Sequence, residues 1–364
     1  MRGDFTINQE RLLNTFLSLV RIDSPSGEEE AIAQHLSEIF SALGLITRRD
    51  DAGNVIAYLD GQGEALLLNA HMDTVGQDRG IQPIVEDGIV RSDGTTILGG
   101  DDKSGIAVIL EVVHVLQEQN LPHPPLEIAL TVGEEIGLLG SKALDMSQFL
   151  ARQALVLDSG GPITNVVVSA PARDGLRAVI HGKAAHAGVN PEEGINAIVV
   201  AAEAIARMTL GRIDEETTAN IGLIQGGTAV NIVPERTEIE GEVRSRDEDK
   251  LAAQVRAMTR ALEEAANQHG AEVDIEVNRS FSAFNLGDDS PLVQRVTRAA
   301  ERLGWELFFT ASGGGSDANV FNAGGLDALV ISTGMTDVHT PQESIAVADM
   351  VRSAQFVLSI VQQG

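Results

Sequence analysis

The chain has 364 residues, more than one domain usually holds, so we expect two domains. Its 53 acidic and 26 basic residues give a net charge of −27, which repels nucleic acid and anionic lipid. Only 3% of residues are aromatic, so few side chains could stack on the bases of single-stranded nucleic acid. The absence of cysteine excludes disulfides and thiolate-ligated metals. The sequence has no apolar run of about 18 residues and no secretory signal pattern. We therefore predict a cytoplasmic protein that binds neither nucleic acid nor membrane.

The first part of the chain alternates helical and strand patterns. Apolar spacing predicts a helix over residues 8–22, and Ser26 is a candidate cap for a second helix that ends at Gly44. An amphipathic pattern predicts a further helix over residues 105–118. Short apolar runs that predict buried strands lie at residues 55–59, 65–69, 126–132 and 154–157. This alternation indicates an α/β sheet covered by helices on both faces.

The pattern changes near Pro171 and resumes after residue 284. Between these points we predict helices over residues 194–208 and 247–269, and strands over residues 175–182, 218–226, 237–244 and 272–278. A helix over residues 291–303, a strand over 328–332 and a closing helix from Ser344 then follow. We therefore predict one domain of residues 1–172 and 285–364, interrupted by an inserted α+β domain of residues 173–284.

Ionisable side chains lie just beyond the predicted strands and just before the helix at residue 105. They are His71 and Asp73, Asp101 and Asp102, Glu134 and Glu135, Asp158, and His339. Open α/β sheets bind ligands beyond the carboxyl ends of their strands. We therefore expect five separate segments to deliver these side chains to one edge of the sheet.

The residue types at this edge suit a pair of divalent cations. A histidine that binds metal needs its other ring nitrogen held, and Asp73, two residues from His71, is a candidate partner. Glu134 and Glu135 are adjacent and must diverge, so that one can bind metal while the other stays free as a general base. One carboxylate set between two ions can bridge them. Imidazole and carboxylate ligands without sulfur suit zinc, cobalt or manganese.

Five motifs in this order, HMDTV, GGDDKSG, VGEEIGLLGS, LVLDSGG and DVHTPQE, resemble the M20 family of dinuclear metallopeptidases, with the closest likeness to the peptidase T group. The resemblance spans nearly the whole chain. It implies a zinc-exopeptidase-like mixed sheet with helices on both faces, in which the insertion is a lid and dimerisation domain that pairs with a second copy. It also implies two divalent ions, zinc first with cobalt or manganese possible, and hydrolysis of short peptides by a water that the two metals activate.

The resemblance assigns a role to each matching residue. Asp101 would bridge the ions, with Asp102 as the alternative and also a candidate helix cap. His71 and Asp158 would complete the ligand set of one metal ion, and Glu135 and His339 that of the other. Glu134 would be the base and later proton donor, and Asp73 the partner of His71. In the insertion, His186 would stabilise the oxyanion, Asn231 would bind the substrate backbone, and Arg244, or its neighbour Arg246, a substrate carboxylate.

One stretch departs from the pattern of peptidase T proper, which carries an arginine before a Gly-Gly-Thr-Asp-Gly turn. Residues 311–317 read ASGGGSD and lack that arginine, so strict tripeptidase specificity does not follow. Backbone amides around Gly314 still suit a substrate carboxylate, and no Gly-Lys-Ser/Thr follows that would indicate a phosphate loop.

Two other functions remain open at this stage: an amidohydrolase of N-acyl amino acids from the same superfamily, and a non-catalytic metal-binding scaffold. The remaining histidines lack carboxylate company at strand ends, and we predict that they are structural or solvated. They are His35, His114, His123, His181 and His269.

Overall fold

The computed structural model describes residues 6–363, which form two compact units. Unit 1 contains the described residues up to Ser169 together with Leu286–Ala311 and the residues from Ser316 onward. Unit 2 contains Ala170–Asn285 and Ser312–Gly315. Within residues 6–363 no helix combines the length and the apolar character needed to cross a membrane.

The sheet of unit 1 is mixed. Its strands are β1 (Ile46–Arg49), β2 (Val55–Leu59), β3 (Leu66–His71), β4 (Ile84–Glu86), β5 (Ile89–Arg91), β6 (Leu126–Thr131), β7 (Gln153–Gly160), β8 (Asn165–Ala170), β15 (Phe308–Ala311), β16 (Asp327–Thr336) and β17 (Ser344–Ala346). The main path runs β1-β2-β6-β3-β7-β16-β17-β5-β4, and β8 pairs with β15 and β16. Strands β3, β6, β7 and β16 are parallel neighbours, so their carboxyl ends share one edge.

Helices cover this sheet. They are α1 (Gln9–Val20), α2 (Glu30–Ala42), α3 (Gly100–Glu118), α4 (Leu139–Ala143), α7 (Pro291–Leu303), α8 (Asp317–Ala323) and α9 (Val347–Val361). Helix α3 packs on β3 and β7 and contacts α1 and α9, while α8 packs on β7 and β16. Strands β3 and β6 are buried along their whole length, which is why they read as near-continuous apolar runs. The mixed α/β fold predicted from the sequence is confirmed.

Unit 2 has its own antiparallel sheet and core. Its strands, in the order β10-β11-β12-β9-β13, are β10 (Gly211–Arg212), β11 (Thr217–Gly226), β12 (Arg236–Ser245), β9 (Ala172–His181) and β13 (Glu272–Phe281); a two-residue strand, β14 (Phe284–Asn285), follows. Helices α5 (Ala197–Arg207) and α6 (Glu248–His269) supply most of the helical part of the core. Asp247 caps α6 by accepting the N–H groups of Asp249 and Lys250, and Gly270 ends it with φ 68°.

Some local predictions were wrong. Ser26 does not cap the second helix, because α2 begins at Glu30 and the Ser26 hydroxyl donates to Asp73 instead. The predicted closing helix starts later than Ser344, since residues 344–346 first form β17. The three-residue strands β4 and β5, of which β4 lies at the edge of the sheet, carried no clear apolar alternation and were not predicted.

Candidate metal centre

The parallel strands of unit 1 bring ionisable side chains from distant segments together. His71 is the last residue of β3 and lies opposite Thr131, the last residue of β6, after which the chain turns through Glu134 and Glu135. Asp158 lies in β7, the next strand. His339 follows the end of β16 in a tight turn, with φ 65°.

Asp101 lies between two imidazoles. Its Oδ1 is 3.1 Å from Nε2 of His71, and its Oδ2 is 3.0 Å from Nε2 of His339. The two oxygens of one carboxylate thus face two histidines that are 268 residues apart in the sequence. A carboxylate whose two oxygens face two separate imidazoles is a candidate bridge between two cations.

Further carboxylates flank each imidazole. Asp158 Oδ1 lies 3.9 Å from Nε2 of His71, and Glu135 Oε1 lies 2.9 Å from Nε2 of His339. Glu135 Oε1 is buried and, despite this short distance, has no partner with hydrogen-bond geometry among residues 6–363. His71, Asp101 and Glu135 present ligand atoms within 4.8 Å of one another, as do His71, Asp102 and Asp158. The donor set of imidazole nitrogens and carboxylate oxygens fits zinc, cobalt or manganese.

Asp102 is bound to backbone groups. Its Oδ2 accepts the N–H of His71 at 3.3 Å, and its Oδ1 accepts the N–H of Gly105 at 3.2 Å, so it caps the regular part of α3. Asp101 and Asp102 have non-helical backbone angles, and the peptide bond between them is cis. Of the two, Asp101 presents its oxygens to both histidines, whereas Asp102 anchors the strand that carries His71.

The Asp73 side chain has more partners than the sequence suggested. Nδ1 of His71 lies 2.9 Å from the backbone oxygen of Asp73 and 3.4 Å from its carboxylate. The same carboxylate accepts the Ser26 hydroxyl at 2.6 Å and the N–H groups of Glu134 at 3.0 Å and Glu135 at 3.3 Å. Asp73 therefore orients His71 and also holds the turn that carries both glutamates.

Glu29 supports the same turn and was not identified from the sequence. Its buried Oε1 accepts the N–H of Gly133 at 3.0 Å and that of Gly27 at 2.9 Å. No sequence signal separates it from the solvated acidic run of residues 28–30, because its partners are backbone amides rather than side chains.

Glu134 belongs to neither candidate ligand group among the described residues. Burial raises the pKa of Glu134 to about 8; the field of His71 opposes this shift, and the neighbouring carboxylates of Asp317 and Glu135 add to it. A carboxyl group with this pKa is largely protonated at neutral pH, and nearby divalent cations would lower its pKa towards the range that a general base needs.

The site carries more carboxylates than imidazoles. Burial acts to lower the pKa of His71, but hydrogen bonds with Asp101 and Asp73 raise it well above its usual value. A hydrogen bond with Asp101 and the close approach of the Glu135 carboxylate raise the pKa of His339 to about 10. Burial and the nearby charge of Asp101 raise the pKa of Asp158. Crowded, buried carboxylates of this kind call for added positive charge, which divalent cations provide.

In unit 2, His186 and Asn231 lie on adjacent segments. His186 forms an isolated β-bridge with Ile232, and the N–H of Ala187 donates to the backbone oxygen of Asn231 at 3.0 Å. Nδ1 of His186 accepts the N–H of Gly188 at 3.1 Å.

Arg244 lies beside the glycine-rich loop of unit 2. Its Nη1 donates to the backbone oxygen of Gly313 at 3.3 Å, and its Nε donates to Glu242 at 2.8 Å. Arg246 instead donates to the backbone oxygen of Glu215 at 3.4 Å. Of the two arginines, Arg244 is therefore the one that contacts the loop containing Gly314.

In the described part of the chain, His71 is the one histidine in the two candidate groups; His339 lies beside Asp101 and Glu135 but belongs to neither group. His181 pairs with Asp274 at 2.9 Å, and His269 pairs with Glu203 at 2.6 Å. Nδ1 of His123 lies 2.8 Å from the backbone oxygen of Pro124.

Comparison with known proteins gives consistent similarities. Residues 67–363 match the family described as peptidase family M20/M25/M40. The uncharacterized protein YqjE of Bacillus subtilis (strain 168) is 43% identical, over 98% of this chain and 99% of that protein. The structure is similar to aminopeptidase PepT from Bacillus cereus ATCC 10987 (TM-score 0.91, 43% identity, 98% and 99% of the two chains covered). It is also similar to a tripeptidase from Staphylococcus aureus subsp. aureus Mu50 (TM-score 0.94, 40% identity, 98% of each chain covered).

Proposed function

The chain belongs to peptidase family M20/M25/M40 and is a peptide-bond hydrolase, and we propose that it is an exopeptidase that uses two divalent cations to hydrolyse short peptides. Zinc is the proposed metal, with cobalt and manganese as alternatives, because the ligands are imidazole and carboxylate without sulfur. A cytoplasmic location remains a prediction.

One observation carries the proposal: the two oxygens of Asp101 face two separate imidazoles at 3.1 and 3.0 Å. We assign Asp101 as the shared ligand of both ions. His71 and Asp158 would complete one coordination set, and Glu135 and His339 the other. When bound, such ions polarise the scissile carbonyl and make water a stronger nucleophile at neutral pH.

Glu134 acts as the base in this proposal. It is adjacent to Glu135 but belongs to neither candidate ligand group, and its N–H donates to the Asp73 carboxylate at 3.0 Å. Its carboxylate would take a proton from the attacking water as the new C–O bond forms. It would then deliver this proton to the nitrogen of the departing amine as the C–N bond breaks.

The proposed substrate contacts belong to unit 2. His186 would donate to the carbonyl oxygen as negative charge develops on it. Asn231, on the segment hydrogen-bonded to Ala187, would bind the peptide backbone. Arg244 and the backbone amides around Gly314 would bind the substrate carboxylate. The hydrogen bond from Arg244 to the backbone oxygen of Gly313, which places the arginine beside this loop, supports that role.

We also propose that unit 2 pairs with a second copy of the chain. Strand β10 pairs only with Thr218 and Ala219 of β11, so the described residues leave 220–226 of β11 as a free strand edge. Leu223 and Ile224 on this edge are exposed. A free edge with exposed apolar side chains suits strand pairing across a twofold axis.

A substrate panel tests the proposed activity. Metal-free protein would be supplied with zinc, cobalt or manganese and assayed on di- and tripeptides, N-acetyl amino acids and N-succinyl amino acids. We expect metal-dependent cleavage of the short peptides. Cleavage of N-acyl amino acids alone would support the amidohydrolase alternative, and binding of metal without any hydrolysis would support a scaffold.

A further inference from the structure

Glu343 is a buried carboxylate four residues after His339, and it contacts the segment that carries Asp101. Only 1% of Glu343 is exposed. Its Oε2 accepts the N–H groups of Leu98 and Gly99, both at 2.9 Å, and its Oε1 accepts the N–H of Asp101 at 3.0 Å. One side chain thus satisfies three backbone donors within four consecutive residues.

The segment that receives this carboxylate is shaped around it. Gly99 has φ 69°, a left-handed conformation that favours glycine. A Cβ at Gly100 would lie 3.0 Å from Oε1 of Glu343, closer than most real contacts of this kind. The two glycines therefore let the backbone approach Glu343 closely, and the chain then runs directly into Asp101.

The other end of Glu343 lies in the turn that carries His339. The Thr340 hydroxyl donates to the backbone oxygen of Asp337 at 2.7 Å, and the N–H of Glu343 donates to the backbone oxygen of Thr340 at 3.0 Å. This turn is followed at once by β17, which pairs with β16. His339 and Glu343 are therefore parts of one hydrogen-bonded turn.

We propose that Glu343 is a positioning residue that fixes the Asp101 segment to the His339 turn and so sets the spacing of the ligands of one cation. The side chains of His339 and Asp101 contact each other directly, Nε2 to Oδ2. Glu343, from the His339 turn, joins the same two segments by accepting the backbone N–H of Asp101. Without it, the two ligands keep their chemistry but lose their fixed separation. This inference rests on the proposed function.

The test compares Glu343→Gln with Glu127→Gln. Glutamine has the same size but presents an NH₂ group where a carboxylate oxygen faced a backbone N–H. Glu127 is the matched control, because it is also buried and accepts two backbone N–H groups, those of Leu150 at 3.0 Å and Ala151 at 2.8 Å. It lies near the start of β6, whereas the candidate metal centre lies beyond the end of that strand.

Metal-free proteins would be titrated with Co²⁺, with binding followed by visible absorption and by the number of ions retained after dialysis. We expect Glu343→Gln to weaken the binding of one of the two ions by about 10- to 100-fold, the range typical of partners that orient metal ligands. Its absorption spectrum should change, and kcat should fall while KM changes little. Glu127→Gln should bind both ions as the unchanged protein does.

The outcomes separate the two ideas. If the unchanged protein binds two ions and Glu343→Gln binds both with equal affinity and spectrum, this inference is overturned while the proposed function stands. If the unchanged protein binds no divalent ion, the proposed function falls and the inference falls with it. Should Glu343→Gln not fold, Glu343→Asp, which keeps the charge but is one methylene shorter, replaces it with the same expected loss and the same overturning result.

Discussion

Adjacent glutamates at positions 134 and 135 differ in their surroundings, and this difference predicts different roles. Glu135 lies 2.9 Å from His339, whereas Glu134 belongs to neither candidate ligand group. Replacing Glu134 by Gln should therefore lower kcat by about 10²- to 10⁴-fold, the usual contribution of a general base, while the number of bound ions stays at two. Steady-state kinetics and metal analysis of the same preparation measure both quantities.

Glu135→Gln provides the contrast for this prediction. This variant makes the same change from carboxylate to amide at the neighbouring residue. We expect it to bind one ion more weakly, since an amide is a poorer ligand than a carboxylate. Full activity in Glu134→Gln, or equal metal loss in both variants, would contradict the assignment of the base.

The positions of the candidate ligands were predictable, because four of the five lie in or just beyond strands with a strong apolar signal and Asp101 lies just before a predicted helix. The supporting residues were not. Ser26, Glu29 and Glu343 act on distant segments through a single side-chain contact or through backbone N–H groups. Such contacts leave no periodic or spacing signal in the sequence, and only the folded chain reveals them.

At the scale of elements, the segment between α1 and α2 supports the site. Ser26 donates to the Asp73 carboxylate at 2.6 Å, and this carboxylate holds the N–H of Glu134. A hydrogen bond to a charged group is worth about 1.5–3 kcal/mol, so Ser26→Ala should lower kcat by roughly tenfold. Ser18→Ala, which removes an exposed hydroxyl bonded to a backbone oxygen within α1, is the control and should leave kcat unchanged. Equal kcat values in both variants would show that the Ser26 hydroxyl does not contribute to catalysis.

Helix α6 allows a test of stability in unit 2. Asp247 accepts the N–H groups of Asp249 at 2.8 Å and Lys250 at 3.0 Å, and both donors would lose this acceptor in Asp247→Ala. We expect the free energy of unfolding to fall by about 1 kcal/mol, as for other N-caps, while Asp247→Asn, which keeps a capping oxygen, stays near the original value. Urea denaturation measures the difference, and equal losses in the two variants would count against capping as the cause.

The same elements show what periodicity can predict. Helix α7 was predicted with its exact bounds, residues 291–303, and α6 within one residue, because each is long and amphipathic. Strands β4, β5 and β10 were missed because they have only two or three residues, most of them exposed. Strands this short depend on their neighbours for pairing, and a local pattern does not contain that information.

At the scale of the whole molecule, the proposed pairing through unit 2 predicts a dimer in solution. Leu223, 64% exposed on the free edge of β11, should lie in this interface. Leu223→Asp would place a charge there and should shift the protein from dimer to monomer in light scattering coupled to gel filtration. Ile46→Asp, at an exposed position on β1 of unit 1, is the matched control and should remain dimeric. A strict monomer before any substitution would contradict the proposal.

The mixed α/β fold was predictable at this scale because its central strands are buried on both faces and read as continuous apolar runs. The order of the strands was not, since it depends on which apolar faces meet after collapse. Placing β3 beside β6 and β7 is what brings His71 close to Asp158.

Anomalous diffraction from crystals grown with zinc would show whether Asp101 is shared by two cations. Data collected on both sides of the zinc absorption edge should give two peaks, one bounded by His71, Asp101 and Asp158 and the other by Asp101, Glu135 and His339. A single peak, or peaks that Asp101 does not contact, would show that Asp101 is not a shared ligand.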